Sequence, residues 1–121
     1  MNNLKLIRTS AGVSRKTISR LLNVSVHTYA GFETGRMTLP REIEIMLSNI
    51  FMIEVDDLEI DADLLIEKYS SSLFYLSNLS EDEKKKLMIK NLFGKEEKAT
   101  YHTIRLLKNK IREDLEEPKN L

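Results

Sequence analysis

Val13-Ser14-Arg15-Lys16-Thr17-Ile18-Ser19-Arg20-Leu21-Leu22, then Asn23-Val24-Ser25, then Val26-His27-Thr28-Tyr29-Ala30-Gly31-Phe32-Glu33-Thr34-Gly35-Arg36, is the stretch from which the rest of the chain can be read. Ile18, Leu21 and Leu22 recur at helical spacing behind Ser14. A serine hydroxyl in that place accepts from a backbone N–H that a first helical turn leaves unpaired, so a helix is expected from Ser14 to about Leu22. Asn23 tolerates the left-handed backbone that a tight turn requires. Ser25 then caps a helix reaching about Thr34, with Tyr29 and Phe32 on its inner side and Gly35 at its end. Small Ser19 stands where the two helices would cross, and Val24 plugs their corner. Two short helices meeting steeply share little surface, so neighbouring elements must cover their apolar sides.

The flanks supply that cover. Leu4, Ile7 and Ala11 mark a first helix, with Asn2 or Asn3 as its cap and Gly12 as its break. Pro40 opens a fourth helix in its first turn, where a missing N–H costs nothing, and Ile43, Met46, Leu47 and Ile50 form its buried stripe. Val55-Asp56-Asp57-Leu58 starts a short fifth helix, with Asp56 as its cap. Further on, Leu65, Tyr69, Leu73 and Leu76 are spaced for a helix from about Asp61 to Asn78. Ser80-Glu81-Asp82-Glu83 is a capping box that launches a helix with Leu87, Met88 and Leu92, stopped by Gly94. A last helix is expected from about Glu96 to Glu117, carrying Ile104, Leu107, Ile111 and Leu115, with Pro118 beyond it. The chain therefore reads as all-α. Residues 1–60 form a five-helix domain, and 61–121 a further helical segment.

The 121 residues are 41% hydrophobic and 31% charged, with no cysteine. That composition suits a folded helical protein and excludes disulfides and thiolate metal sites. No apolar run is long enough for a membrane span and no secretory signal is visible, so an intracellular, cytoplasmic setting is expected. The formal net charge is zero, but it is unevenly spread. Residues 1–41 hold Lys5, Arg8, Arg15, Lys16, Arg20, Arg36 and Arg41 against Glu33 alone, a net of +6. Residues 42–82 hold eleven acids and only Lys68, a net of −10, and residues 83–121 return to +4. A local positive field of this kind is what a phosphate-binding surface needs, although solvated helix faces produce it too. No glycine-rich phosphate loop, metal-ligand cluster or nucleophile motif appears, so neither an enzyme nor a bound cofactor or metal is expected.

In order and spacing, Leu4, Arg8, Gly12-Val13-Ser14, Ile18, Val24-Ser25, Thr28, Phe32-Glu33-Thr34-Gly35-Arg36, Pro40 and Val55-Asp56-Asp57-Leu58 resemble the Cro/repressor-type helix-turn-helix proteins, the XRE family. The resemblance covers about residues 3–59 and implies a lambda-repressor-like domain that binds double-stranded DNA, its third helix entering the major groove. It also implies roles. Arg8 and Glu33 match a salt bridge tying helix one to the end of helix three; the plainer alternative is two separate surface charges. Val26, His27 and Gly31 match base-reading positions. Val26 would pack on a thymine methyl and His27 would donate to guanine, while Gly31, lacking a side chain, permits close approach. The alternatives are a core valine and an idle surface imidazole. Arg15 stands where the family usually has Gln, and with Thr28, Arg36 and Arg41 it matches backbone-facing positions, Arg41 within reach of a minor groove. Solvated charges are again the alternative. His27 has only His102 as a companion, far off in sequence, so no metal site follows. Asn23 replaces the usual turn glycine, and Tyr29 and Phe32 are larger than many members carry.

One such unit reads only a few base pairs, so a homodimer on a palindrome is expected, with 61–121 as the dimerising or regulatory segment. The Ile104/Leu107/Ile111/Leu115 stripe would make a dimer seam, or would pack on Leu73, Leu76 and Leu87 of its own chain. Lys84-Lys85-Lys86 reads as a solvated helix face. The function implied is a nucleoid-associated transcriptional regulator, a repressor. Its alternatives are the antitoxin of a toxin–antitoxin pair, holding a protein partner through 61–121, and an interaction adaptor that has lost DNA binding.

Overall fold

The computed structural model describes residues 2–94, and along them the chain is all-helical, with no strand among the described residues. The order is α1 Leu4–Ser10, α2 Arg15–Leu22, α3 Val26–Thr34, α4 Arg41–Phe51, a 3-10 turn Val55–Leu58, α5 Ala62–Ser77 and α6 Glu81–Gly94. The helix expected from about Glu96 to Glu117, with its Ile104/Leu107/Ile111/Leu115 stripe, lies outside the described residues, as does His102.

Local backbone chemistry sets the boundaries. Ser14 accepts from Thr17 N at 3.1 Å and Ser25 from Thr28 N at 3.0 Å, so the same Ser-x-x-Thr device starts both α2 and α3. Asn23 takes the left-handed conformation at φ 57° and ends α2; Gly35 does the same for α3 at φ 79°. Ser80 and Glu83 close the capping box of α6 in both directions, at 3.0 and 3.2 Å. Three expected details differ. Pro40 occupies the cap position just before α4 rather than its first turn. Asn3 holds the cap position of α1 but its side chain is used elsewhere, and Asn2 Oδ1 accepts from Leu4 N instead. Asp56 caps nothing: the 3-10 turn has no side-chain cap, and its neighbour Asp57 is the buried acid.

One apolar core runs through the described chain. Leu4, Ile7, Ile18, Leu22, Tyr29, Phe32, Met46, Leu47 and Ile50 are all buried in it. So are Leu65, Leu73, Leu76, Met88 and Leu92 from beyond residue 60. A fully buried side chain of this size contributes roughly 1.5–3 kcal/mol, so five of them hold α5 and α6 firmly to the first sixty residues. Helix α5 packs on α1, α6 packs on α4, and α3 lies mainly against α2 and α1.

Polar ties fix the layering. Asn3 Nδ2 donates to the Ile60 carbonyl at 2.7 Å, and Asn91 Nδ2 to that of Ile50 at 3.0 Å. Asp57 accepts from Lys68 at 2.7 Å and from the Tyr69 hydroxyl, joining the 3-10 turn to α5. Lys84 corrects the solvated-face reading of the lysine run. It is buried, and its ammonium donates to the Gly12 carbonyl at 2.8 Å, while Lys86 is exposed. Its position explains this: Lys84 shares the stripe of Met88 and Leu92, one and two turns on.

Candidate nucleic-acid interface

Helix α3 is nine residues long and two-sided. Tyr29, Phe32 and Glu33 point inward and are buried, while Val26 is 45% exposed and His27 and Thr34 face solvent. Val26 and His27 are both exposed among the described residues, so the outer side of α3 is open at its start.

The inner side is bolted down by charge as well as by packing. Glu33 accepts from Arg8 Nε at 2.5 Å and Arg8 Nη2 at 3.2 Å, a bidentate pair whose carboxylate is 1% exposed. Arg8 Nη1 also donates to the Val13 carbonyl at 2.9 Å, so one guanidinium joins α1, α3 and the start of α2. The expected Arg8–Glu33 pair is thus present. Burial alone pushes the Glu33 carboxyl up. The hydrogen bonds from Arg8, the nearness of the Tyr29 hydroxyl and the hydrogen bond from Arg15 outweigh it and hold the carboxyl below its ordinary value. The same contact holds the Arg8 guanidinium above its ordinary value. The Tyr29 hydroxyl is driven up by burial first and by the nearby Glu33 second. It lies beside the pair without closing a hydrogen bond of sound geometry.

Arg15 is part of this cluster. Its Nε donates to Glu33 Oε1 at 3.1 Å while the side chain keeps 41% of its surface in solvent. The residue given by resemblance to the DNA backbone therefore also braces α3 while staying partly exposed. Asn2 adds a third brace, donating through Nδ2 to the Phe32 carbonyl at 2.9 Å. Neither brace is visible in residue spacing: 30 positions separate Asn2 from Phe32, and an asparagine so placed reads simply as a cap.

Thr28 is half-buried, its Oγ1 accepting from Ser25 at 2.9 Å, which leaves its own O–H free to donate. Arg41 is well exposed, 67% for the side chain, with Glu44 at 3.8 Å. Lys16 and Arg20 on α2 are exposed too. Gly31 departs from expectation. It is buried, and a Cβ there would stand 2.8 Å from both Arg36 Nη2 and Met37 Sδ. The close approach it permits is made by the chain's own next segment.

With this geometry Val26 and His27 sit together at the start of an exposed helix face, with Arg36 held against the His27 carbonyl at 3.1 Å. Comparison of the chain finds no matching family model, curated protein or solved structure. Among the described residues no group of His, Asp and Glu is arranged to hold a metal ion, and no helix is long and apolar enough to cross a membrane.

Proposed function

We propose that the chain is a sequence-specific DNA-binding transcriptional regulator, a repressor that occupies a palindromic operator as a homodimer. The carrying observation is the two-sidedness of α3: its inner side is locked by Phe32 and the Arg8–Glu33–Arg15 cluster, and its outer side is open at Val26 and His27. A helix is about 10–12 Å across with its side chains, and the major groove is about 12 Å wide, so such a face is what the groove admits. In this reading Val26 packs on a thymine methyl, His27 donates to guanine N7 or O6, and Gly31 lets the chain close over the helix. Arg15, Thr28 and Arg41 face the backbone, and Arg36 adds a cation beside His27. The order of motifs shared with the Cro/repressor-type proteins supports the same reading.

Dimerisation is assigned to the segment from residue 61 onward. Leu64, Phe74 and Tyr75 of α5 are 46%, 68% and 62% exposed and offer apolar surface to a second copy.

The test is selection of bound duplexes from a random DNA pool, followed by Val26→Ala and His27→Ala on the preferred sequence. Each substitution is expected to erase preference at its own base pair in each half-site. Affinity should fall steeply with salt, by about 0.9 in log K per log unit for each phosphate neutralised. A chain that prefers no duplex at moderate salt would instead be an interaction adaptor.

A further inference from the structure

Gly31 and Arg36 stand in an unusual relation. Gly35, at φ 79°, turns the chain back along α3, and Met37 N donates to the Gly31 carbonyl at 3.0 Å. This carries Arg36 across the helix, where its Nη2 donates to the His27 carbonyl at 3.1 Å. The guanidinium then lies over the spot that Gly31 leaves bare, 2.8 Å from where a Cβ would be. His27 and Gly31 are one turn apart and share a face, so Arg36 stands beside the His27 side of the open surface.

Its surroundings set it apart from the other arginines near the site. Arg8 and Arg15 are held by Glu33, Arg41 has Glu44 at 3.8 Å, and exposed Arg20 has neither an ion pair nor a tether among the described residues. Arg36 is exposed and, among the described residues, makes no ion pair; a backbone carbonyl of α3 itself holds it. That tether uses one of five guanidinium N–H groups and leaves four donors in a fixed fork. A phosphate is served by a guanidinium fork or by a freely moving ammonium alike, and needs neither in a set direction. A base edge asks for donors fixed in direction relative to the helix in the groove.

We propose that Arg36 is a base-reading residue: it fills the reading position that Gly31 lacks and presents its fork to a guanine edge, with glycine at 31 required to make room for it. This rests on the DNA-reading function proposed for α3 and moves Arg36 from the backbone set, where resemblance alone puts it, to the specificity set.

The experiment compares duplex selection by the full chain with that by Arg36→Lys, Arg36→Ala and Gly31→Ala, with His27→Ala as reference. Thermal melts report folding, and exposed Arg36 is expected to leave them unchanged. Arg36→Lys keeps the charge and loses the fork. It is expected to lose roughly ten- to a hundredfold discrimination at one G·C pair per half-site, with other positions unaltered. Arg36→Ala should lose preference at the same pair. Gly31→Ala, which displaces the guanidinium, should also weaken that pair and not the one read by His27. If Arg36→Lys keeps the wild-type preference, and Arg36→Ala weakens all duplexes alike, Arg36 is a phosphate contact and the inference fails alone. If the unaltered chain prefers no duplex, it fails together with the DNA-reading function.

Discussion

Glu33→Gln is the perturbation on which the architecture of the site is most exposed to test. The carboxylate is 1% exposed and accepts from three N–H groups, at 2.5 and 3.2 Å from Arg8 and 3.1 Å from Arg15. Glutamine keeps the shape, so no cavity term enters. What changes is charge: the Arg8 side chain, 10% exposed, is left without its counter-ion. Stranding one member of a buried pair costs about 3–5 kcal/mol. Arg15 can turn to water through its 41% exposed side chain, so its share is small and the lower end applies, about 3 kcal/mol. In urea, with a slope of about 1.5 kcal/mol per molar, the midpoint should fall by about 2 M. The loss should also depend on pH in a fixed direction. Folding holds the Glu33 carboxyl below its ordinary value, so its contribution is present above the ordinary carboxylate range. It disappears as pH falls through the lowered folded value. The gap between wild type and variant should therefore close on acidification. Arg8→Met with Glu33→Leu, which removes both charges, should recover much of the loss. A cost under about 1 kcal/mol at neutral pH, or a gap that widens in acid, would mean the cluster behaves as surface charge and does not fix α3.

Four further outcomes follow from individual contacts and backbone conformations. Lys84→Met should lower stability by about 1–2 kcal/mol, read as a drop in Tm, with faster amide exchange in α6, since it removes the donor to the Gly12 carbonyl. Met52 ends α4 at φ 56° and is 55% exposed, so Met52→Gly relieves a left-handed backbone at little packing cost. Thermal melts should show a gain of roughly 0.5 kcal/mol, whereas Gly35→Ala, at φ 79°, should lose about 1. Tyr29→Phe removes a buried hydroxyl that has no hydrogen-bond partner, and denaturant titration should show a change of less than about 1 kcal/mol.

What the sequence discloses here is what short-range chemistry decides. The serine caps of α2 and α3, the left-handed Asn23 and Gly35, and the capping box of α6 each depend on residues within about four positions, and all are in place. The inward stripe of Tyr29 and Phe32 follows from helical period alone. The Arg8–Glu33 pair does not. It spans 25 positions and was legible only through resemblance to a family. Where a side chain had two plausible local uses, tertiary packing chose between them. Arg15 at the start of α2 turns partly inward to Glu33, Asn3 leaves its own helix to hold Ile60, and Asp57 rather than Asp56 is drawn into the core edge by Lys68 and Tyr69. Lys84 is the instructive case. Its place one turn before Met88 was a readable signal of an inward position, but the charge argued for solvent until a carbonyl at Gly12 was there to receive it.

The zero net charge bears on function through where the charges sit. The bases of the first 41 residues lie on α1, α2, the loop after α3 and the first residue of α4, whereas Glu54, Asp56, Glu59, Asp61, Asp63 and Glu67, all exposed, lie on the 3-10 turn and α5 with their flanking residues. The single acid among the first 41 residues, Glu33, is buried between two arginines, so that cluster carries a net +1 and leaves Lys5, Lys16, Arg20, Arg36 and Arg41 unopposed by any acid of that segment. On the DNA-binding function proposed above, charges so divided along the chain would attract a polyanion to the basic elements and repel it from the acidic ones, which orients the approach without requiring a basic protein. The distribution also separates two kinds of substitution. On the proposed function, neutralising exposed Lys16 or Arg20 should slow association with duplex DNA at low salt and lose its effect as salt rises, whereas Glu33→Gln should disturb α3 at every salt concentration. If both classes of variant responded to salt alike, the cation field and the buried cluster would not be the separate devices the structure makes them.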